Sequence, residues 1–210
     1  MTQLVLTRHG ETVWHAENRY AGRSDIALTE RGVEQARLLG EWARHAGLTA
    51  LWCSPLGRAR DTAARVADTT GLATQVDERL VELDFGDGEG LTTAEMRHKF
   101  PDAFDAFVAD PVANHLPGGE DPRDAVARML ACLNEICVAE PDGKVLIVGH
   151  TTVLRLVLCQ LLGIPLANYR RLFPFMRNAG LTMLRLRDGQ TALLEFNTPI
   201  ELIPGSIRTH

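Results

Sequence analysis

Two short apolar runs in this chain each end on a histidine. QLVLT at 3–7 leads into Arg8, His9 and Gly10, and KVLIVG at 144–149 leads into His150. Runs this short, β-prone and bounded by turn residues, suit strands of a parallel sheet covered on both faces. The segments between them obey the complementary rule. From Thr29, TERGVEQARLLGEWARHAG reads as a helix. Thr29 or Ser24 would cap its start, Val33, Ala36, Leu39 and Ala43 form its apolar face, and Gly47 would stop it. LTALWCS reads as a second strand, and PLGRARDTAARVADTTG as a second helix with Pro55 near its start. ATQVD reads as a short third strand.

Residues 83–120 break the alternation. FGDGEG, two short helical stretches interrupted by Pro101 and Pro111, and LPGGED read as a helical cap insertion at about 85–120. A long amphipathic helix follows from Asp121 to about Glu140, with Val126, Met129, Leu133 and Ile136 on one face. TTVLRLVLCQLLG is apolar nearly all round and reads as a central buried helix. GLTMLRLRDGQTALLEFN reads as a hairpin turning at Asp188-Gly189, and PGSIRTH as a loose tail. The pattern predicts one α/β domain over 1–210: a three-layer sandwich with a mostly parallel central sheet and a cap. The exposed edge of the C-terminal hairpin is the candidate contact for a homo-oligomer.

Charge and cysteine usage narrow the partners. The net charge of −5 over 210 residues gives no electrostatic footprint for nucleic acid. No apolar run approaches the ~20 residues of a membrane helix. Cys53, Cys132, Cys137 and Cys159 show no paired spacing and sit in apolar segments, which fits free buried thiols and a cytoplasmic location. His45, His98, His115 and His210 show no metal-ligand spacing and read as surface residues, so neither metal nor cofactor is expected.

In parallel α/β sheets, ligands bind at the carboxyl ends of the strands. His9 and His150 both emerge there, and Arg58 of SPLGRARDTA tops the helix after the second strand. Together with Arg8, exposed beside His9 at its strand mouth, they make a cationic cup suited to a phosphoryl group. Gly10 would let the backbone approach the ligand closely. Flanking arginines disfavour imidazolium, which keeps a histidine nucleophilic toward phosphorus. Expelling an alkoxide requires a proton donor. Glu82 in RLVELDFGDGEG is the first candidate, with Glu89 and Asp84 as positional rivals.

TRHGET at 7–12, SPLGRARDTA at 54–63, VELDFGDGEG at 81–90 and VGHTTVLR at 148–155 resemble, in order, the four signature segments of the histidine phosphatase superfamily. That group includes cofactor-dependent phosphoglycerate mutases and many small phosphatases. The resemblance implies that His9 is the phosphorylated nucleophile, Glu82 the proton donor, and Arg8, Arg58 and His150 the phosphate pocket. Loops matching ETVWHAENRYAG line that pocket in the family, which adds Thr12, His15, Ala21 and Gly22; Thr151, after the late histidine, joins them as a substrate-binding candidate. Two departures stand out. Family members usually carry Asn where this chain has His15, and DGEG lacks the tryptophan common before its second glutamate.

The implied activity is hydrolysis of small phosphomonoesters. The alternative is mutase-type phosphoryl transfer, and a third reading is an inactive phospho-ligand binding module. The short cap carries few basic residues (Arg97, His98, Lys99 and His115), which favours the phosphatase. Substrate specificity is expected to come from that cap.

Overall fold

The computed structural model describes residues 1–187 and 189–200. Six strands form one sheet: β1 (Thr2–Arg8), β2 (Ala50–Cys53), β3 (Thr74–Val76), β4 (Lys144–Gly149), β5 (Leu181–Arg187) and β6 (Gln190–Thr198). Their order is β3-β2-β4-β1-β5-β6. The first four run parallel, and β5 and β6 are added antiparallel.

The period-two alternation of a strand divides the core in two. Leu4 and Leu6 of β1, with Val145 and Ile147 of β4, enter one cluster; Val5, Leu146 and Val148 enter the other. Helices α1 (Glu30–Ala43) and α2 (Gly57–Thr70) cover the second face through Leu39, Trp42, Ala59, Ala63 and Val66. The first face is covered by α5 (Pro122–Ala139) and α6 (Thr151–Leu161). Each fully buried Leu or Val contributes about 1.5–3 kcal/mol, so the two clusters fix the three layers.

Most boundaries follow their sequence signals. Thr29 caps α1, its side chain accepting from Gly32 N at 3.0 Å, whereas Ser24 belongs to a loop. The helix ends at Ala43, ahead of the Gly47 turn, and Val33 faces solvent while Gln35 takes a buried position. All four apolar residues expected on the inner face of α5 are buried. The cap contains α3 (Thr93–Lys99) and α4 (Pro101–Ala109), with Pro101 separating the two helices as the first residue of α4 and Pro111 just past its end. A short α7 (Tyr169–Leu172) follows α6 and carries no clear sequence signal. Cys53, Cys132 and Cys159 are buried and Cys137 is half-buried, all as free thiols. Asp188 of the expected hairpin turn and the tail 201–210 lie outside the described residues. No helix of the described residues is long and apolar enough to cross a membrane.

Candidate active site

Pairing levels three strand ends on one edge of the sheet. Arg8 registers against Gly149, His9 N donates to Gly149 O at 3.1 Å, and Ser54 N donates to Val148 O at 3.1 Å. His9 and His150 therefore emerge side by side, with ring centroids 5.2 Å apart.

His9 is only 5% exposed, and Arg58 only 1%. The loop 12–24 folds over this edge, so Arg8, half-buried, and His9 are not exposed at a strand mouth. Gly10 also has a different use from the expected one. A Cβ there would meet Gly32 O at 2.5 Å, so the glycine permits close packing against the first turn of α1 rather than against a ligand.

The hydrogen bonds of His9 fix its tautomer. Nδ1 donates to Gly10 O at 2.6 Å, and Arg58 Nε donates to Nε2 at 3.2 Å. Nε2 therefore carries the lone pair. Burial is the main cause holding its pKa well below the ordinary histidine value, with His150, Arg8 and Arg58 adding repulsion. The expected influence of the arginines is present but secondary.

Arg58 is held by backbone carbonyls. Nη1 donates to Ser24 O and Nη2 to Gly22 O, both at 2.7 Å, leaving Nε for the site. Thr62 links this helix to the strand end, accepting from Gly10 N at 3.0 Å and donating to Arg58 O at 2.7 Å. Glu89 secures the same loop, accepting from Arg23 N at 2.6 Å, Ser24 N at 2.9 Å and Ser24 Oγ at 2.5 Å. Gly22, at φ +45°, fits only as glycine, because a Cβ would fall 1.7 Å from Glu89 Oε1.

That arrangement separates the three carboxylate candidates. Glu89 clamps the loop, and Asp84 closes a turn through Gly86 N at 2.8 Å. Glu82, 4% exposed, lines the cavity. Its Oε1 accepts from Leu83 N at 2.8 Å and Val153 N at 2.9 Å, and its Oε2 from Thr152 N at 2.9 Å. The carboxylate thus sits at the positive N-terminus of α6. Arg128 of α5 fixes the backbone behind it, donating to Arg79 O, Val81 O and Glu82 O at 2.7–3.1 Å.

His15 takes an unusual place. It lies in a single 3-10 turn, Val13–His15, and its Nδ1 accepts from Thr12 N at 2.9 Å, as a glutamate does in a capping box. Its Nε2 is in hydrogen-bond contact with Arg8 Nη2 and lies 3.5 Å from Asn178 Nδ2. Burial, then Arg8, lowers the His15 pKa to about 4. Among the described residues, Arg8 Nε and both ring nitrogens of His150 are buried without a partner. The Nε–H of Arg8 and the ring N–H of His150, buried without a protein partner among the described residues, match the oxygens of an anion.

The cavity has a volume of about 390 Å³. Arg8, His9, Arg58, Glu82, Thr12, His15, Ala21, Gly22 and Thr151 all line it; His150, fully buried, stands behind His9. Sequence reasoning missed several groups. Met176 O accepts from Arg8 Nη1 at 3.0 Å, and Asn178 Nδ2 donates to His9 O at 2.8 Å. Nothing local marks this segment, which docks across the sheet from far along the chain. Arg155 and Arg170 also line the cavity. Arg155 had a signal: an arginine in a helix otherwise apolar nearly all round. The cap contributes only Phe85 and Thr93, and its Arg97, His98, Lys99 and His115 are absent from the wall. The helices α3 and α4 bury their apolar side in the core, and Arg97, His98 and Lys99 of α3 are exposed.

The family model of the histidine phosphatase superfamily (branch 1) matches residues 4–199. The chain belongs to that superfamily. This histidine phosphatase is 29% identical over 211 residues to phosphoserine phosphatase 1 of Hydrogenobacter thermophilus, covering 100% of this chain and 99% of the relative. It is 37% identical over 189 residues to a Yersinia pestis protein named "Probable phosphoglycerate mutase GpmB", covering 90% and 86%. The solved structure of mycobacterial glucosyl-3-phosphoglycerate phosphatase Rv2419c with VO3 superimposes with a TM-score of 0.85 at 33% identity, over 93% of this chain and 98% of that one. The histidine phosphatase fold thus accounts for the mostly parallel sheet and for the ordered spacing of the four signature segments.

Proposed function

We propose that this chain is a phosphomonoesterase hydrolysing small phosphorylated metabolites through a phosphohistidine on His9. The observation carrying this reading is a neutral His9, its Nε2 accepting from Arg58 Nε, on the wall of a cavity that Glu82 also lines. Arg8, Arg58 and His15 hold the non-bridging oxygens, with His150 behind His9 completing the pocket. Nε2 attacks phosphorus, the P–O bond to the alcohol breaks, and Glu82 delivers a proton to the departing oxygen. Water then attacks the phosphohistidine while Glu82 takes up its proton, releasing inorganic phosphate and free His9. Thr12, Ala21, Gly22 and Thr151 line the path of the substrate.

Mutase-type transfer is the second reading, favoured by the wall that Trp14 to Gly22 supplies and by the mutase-named relative. Against it, the basic residues of the cap take no part in the cavity, so nothing there retains the phosphoenzyme against water. The free cysteines support a cytoplasmic setting.

The test is a rapid quench with substrate followed by peptide mapping. Expected are the mass of one phosphoryl group on His9, steady phosphate release without a bisphosphorylated activator, and neither in His9→Ala. Turnover surviving in His9→Ala would overturn the nucleophile, and phosphate release only alongside an isomerised product would turn the assignment to the mutase.

A further inference from the structure

Five arginines border the cavity, and a phosphoryl group at His9 accounts for two of them, Arg8 and Arg58. Arg19 is neutralised by Glu17 and Glu95, both at 2.7 Å. Arg155 and Arg170 remain, and among the described residues neither has a carboxylate partner. The buried Nε of Arg155 has no hydrogen-bond partner, and its guanidinium lies 4.7 Å above the ring of Tyr169. Its Nη1 makes a long contact to Pro174 O at 3.4 Å. Arg170 meets the same tyrosine, donating from Nε to Tyr169 Oη at 3.0 Å, with its guanidinium 5.5 Å from that ring's centre and 4.4 Å over Phe107. Among the described residues Glu82 is the single carboxylate on the wall, and its oxygens are committed to three backbone amides.

Two positive forks held by aromatic rings, without a counter-charge, are costly to desolvate unless an anion joins them. We propose that Arg155 and Arg170 form a second anion subsite, so the preferred substrates are phosphomonoesters whose alcohol carries its own carboxylate or second phosphate. The proposal rests on the phosphomonoesterase reading and names its substrate class. A cavity of about 390 Å³ accommodates a phosphoryl group and a short acidic alcohol. The subsite is built from α6 and α7, outside the cap, and its binding energy on a remote group raises kcat/KM.

The experiment compares kcat/KM within matched pairs. For the carboxylate, 3-phosphoglycerate is set against glycerol 1-phosphate, which differs only by CH₂OH in place of the acid. For the second phosphate, 1,3-propanediol bisphosphate is set against propyl phosphate. At least one acidic member should be preferred by about 10- to 100-fold, the scale of a charge-assisted hydrogen bond. Whichever pair shows the preference identifies the anion. In Arg155→Gln and in Arg170→Gln that preference should collapse toward unity, with circular dichroism checking the fold of each. Equal kcat/KM within both pairs, or a preference that survives both substitutions, would overturn the subsite. If no ester is hydrolysed and no phosphohistidine forms, the phosphatase reading fails instead. Titration calorimetry of the same pairs on His9→Ala then decides the subsite by the same affinity ratio.

Discussion

Replacing Glu82 by Gln removes a proton donor and also disturbs a hydrogen-bond pattern, and the structure allows the two effects to be separated. A carboxylate has two acceptor oxygens, and here Oε1 serves Leu83 N and Val153 N while Oε2 serves Thr152 N. Glutamine has one acceptor oxygen, so its amide NH₂ must face at least one of these N–H donors. One buried donor left unsatisfied costs about 1–3 kcal/mol, or roughly a 5- to 150-fold displacement effect shared by every substrate. The missing proton acts selectively. General acid catalysis is worth about 10²–10⁴-fold when the leaving group is an alkoxide and little when it is a weakly basic phenolate. The assay is therefore kcat/KM for glycerol 1-phosphate and for p-nitrophenyl phosphate, in wild type and in Glu82→Gln. This parameter covers the steps up to the phosphoenzyme and excludes its later hydrolysis. The expected result is an alkyl loss exceeding the aryl loss by about 10²-fold or more. Equal losses would refute the acid role and move it elsewhere, to Glu89 first, although the contacts of Glu89 with Arg23 and Ser24 leave it a loop clamp.

Arg58→Ala should lower kcat by about 10²–10³-fold, the scale of one charge-stabilising donor; a loss under tenfold would place Arg58 outside the phosphate pocket. His15, with a folded pKa of about 4 against an ordinary 6.5, binds fewer protons folded than unfolded between those values. Stability should therefore fall as pH drops from 6.5 toward 4, His9 and His150 contributing in the same direction. His15→Asn should flatten part of that fall in a Tm-against-pH series, and an unchanged slope would count against the buried neutral ring. Activity should survive EDTA, because Arg8 and Arg58 supply the positive charge; loss restored by a divalent ion would contradict the scheme.

The strand and helix periodicities, the caps and the two histidine-terminated runs are local properties, and they determined the layered fold and the identities of His9, Arg8, Arg58 and His150. Glu82 was legible as the first of three carboxylate candidates, and the family resemblance singled it out. The choice among them depends on which one meets the amide ends of a helix some 70 residues later, and that is a matter of packing. The same holds for the burial of His9, which loop 12–24 imposes, and for its tautomer, which needs Gly10 and Arg58 in place. Met176, Asn178 and Arg170 reach the site by docking after α6, where no local pattern marks them. Periodicity encodes which face of an element is apolar. The partner that meets each polar group is decided by how distant elements stack, and in this protein that stacking places Glu82, Arg155 and Arg170 around the cavity.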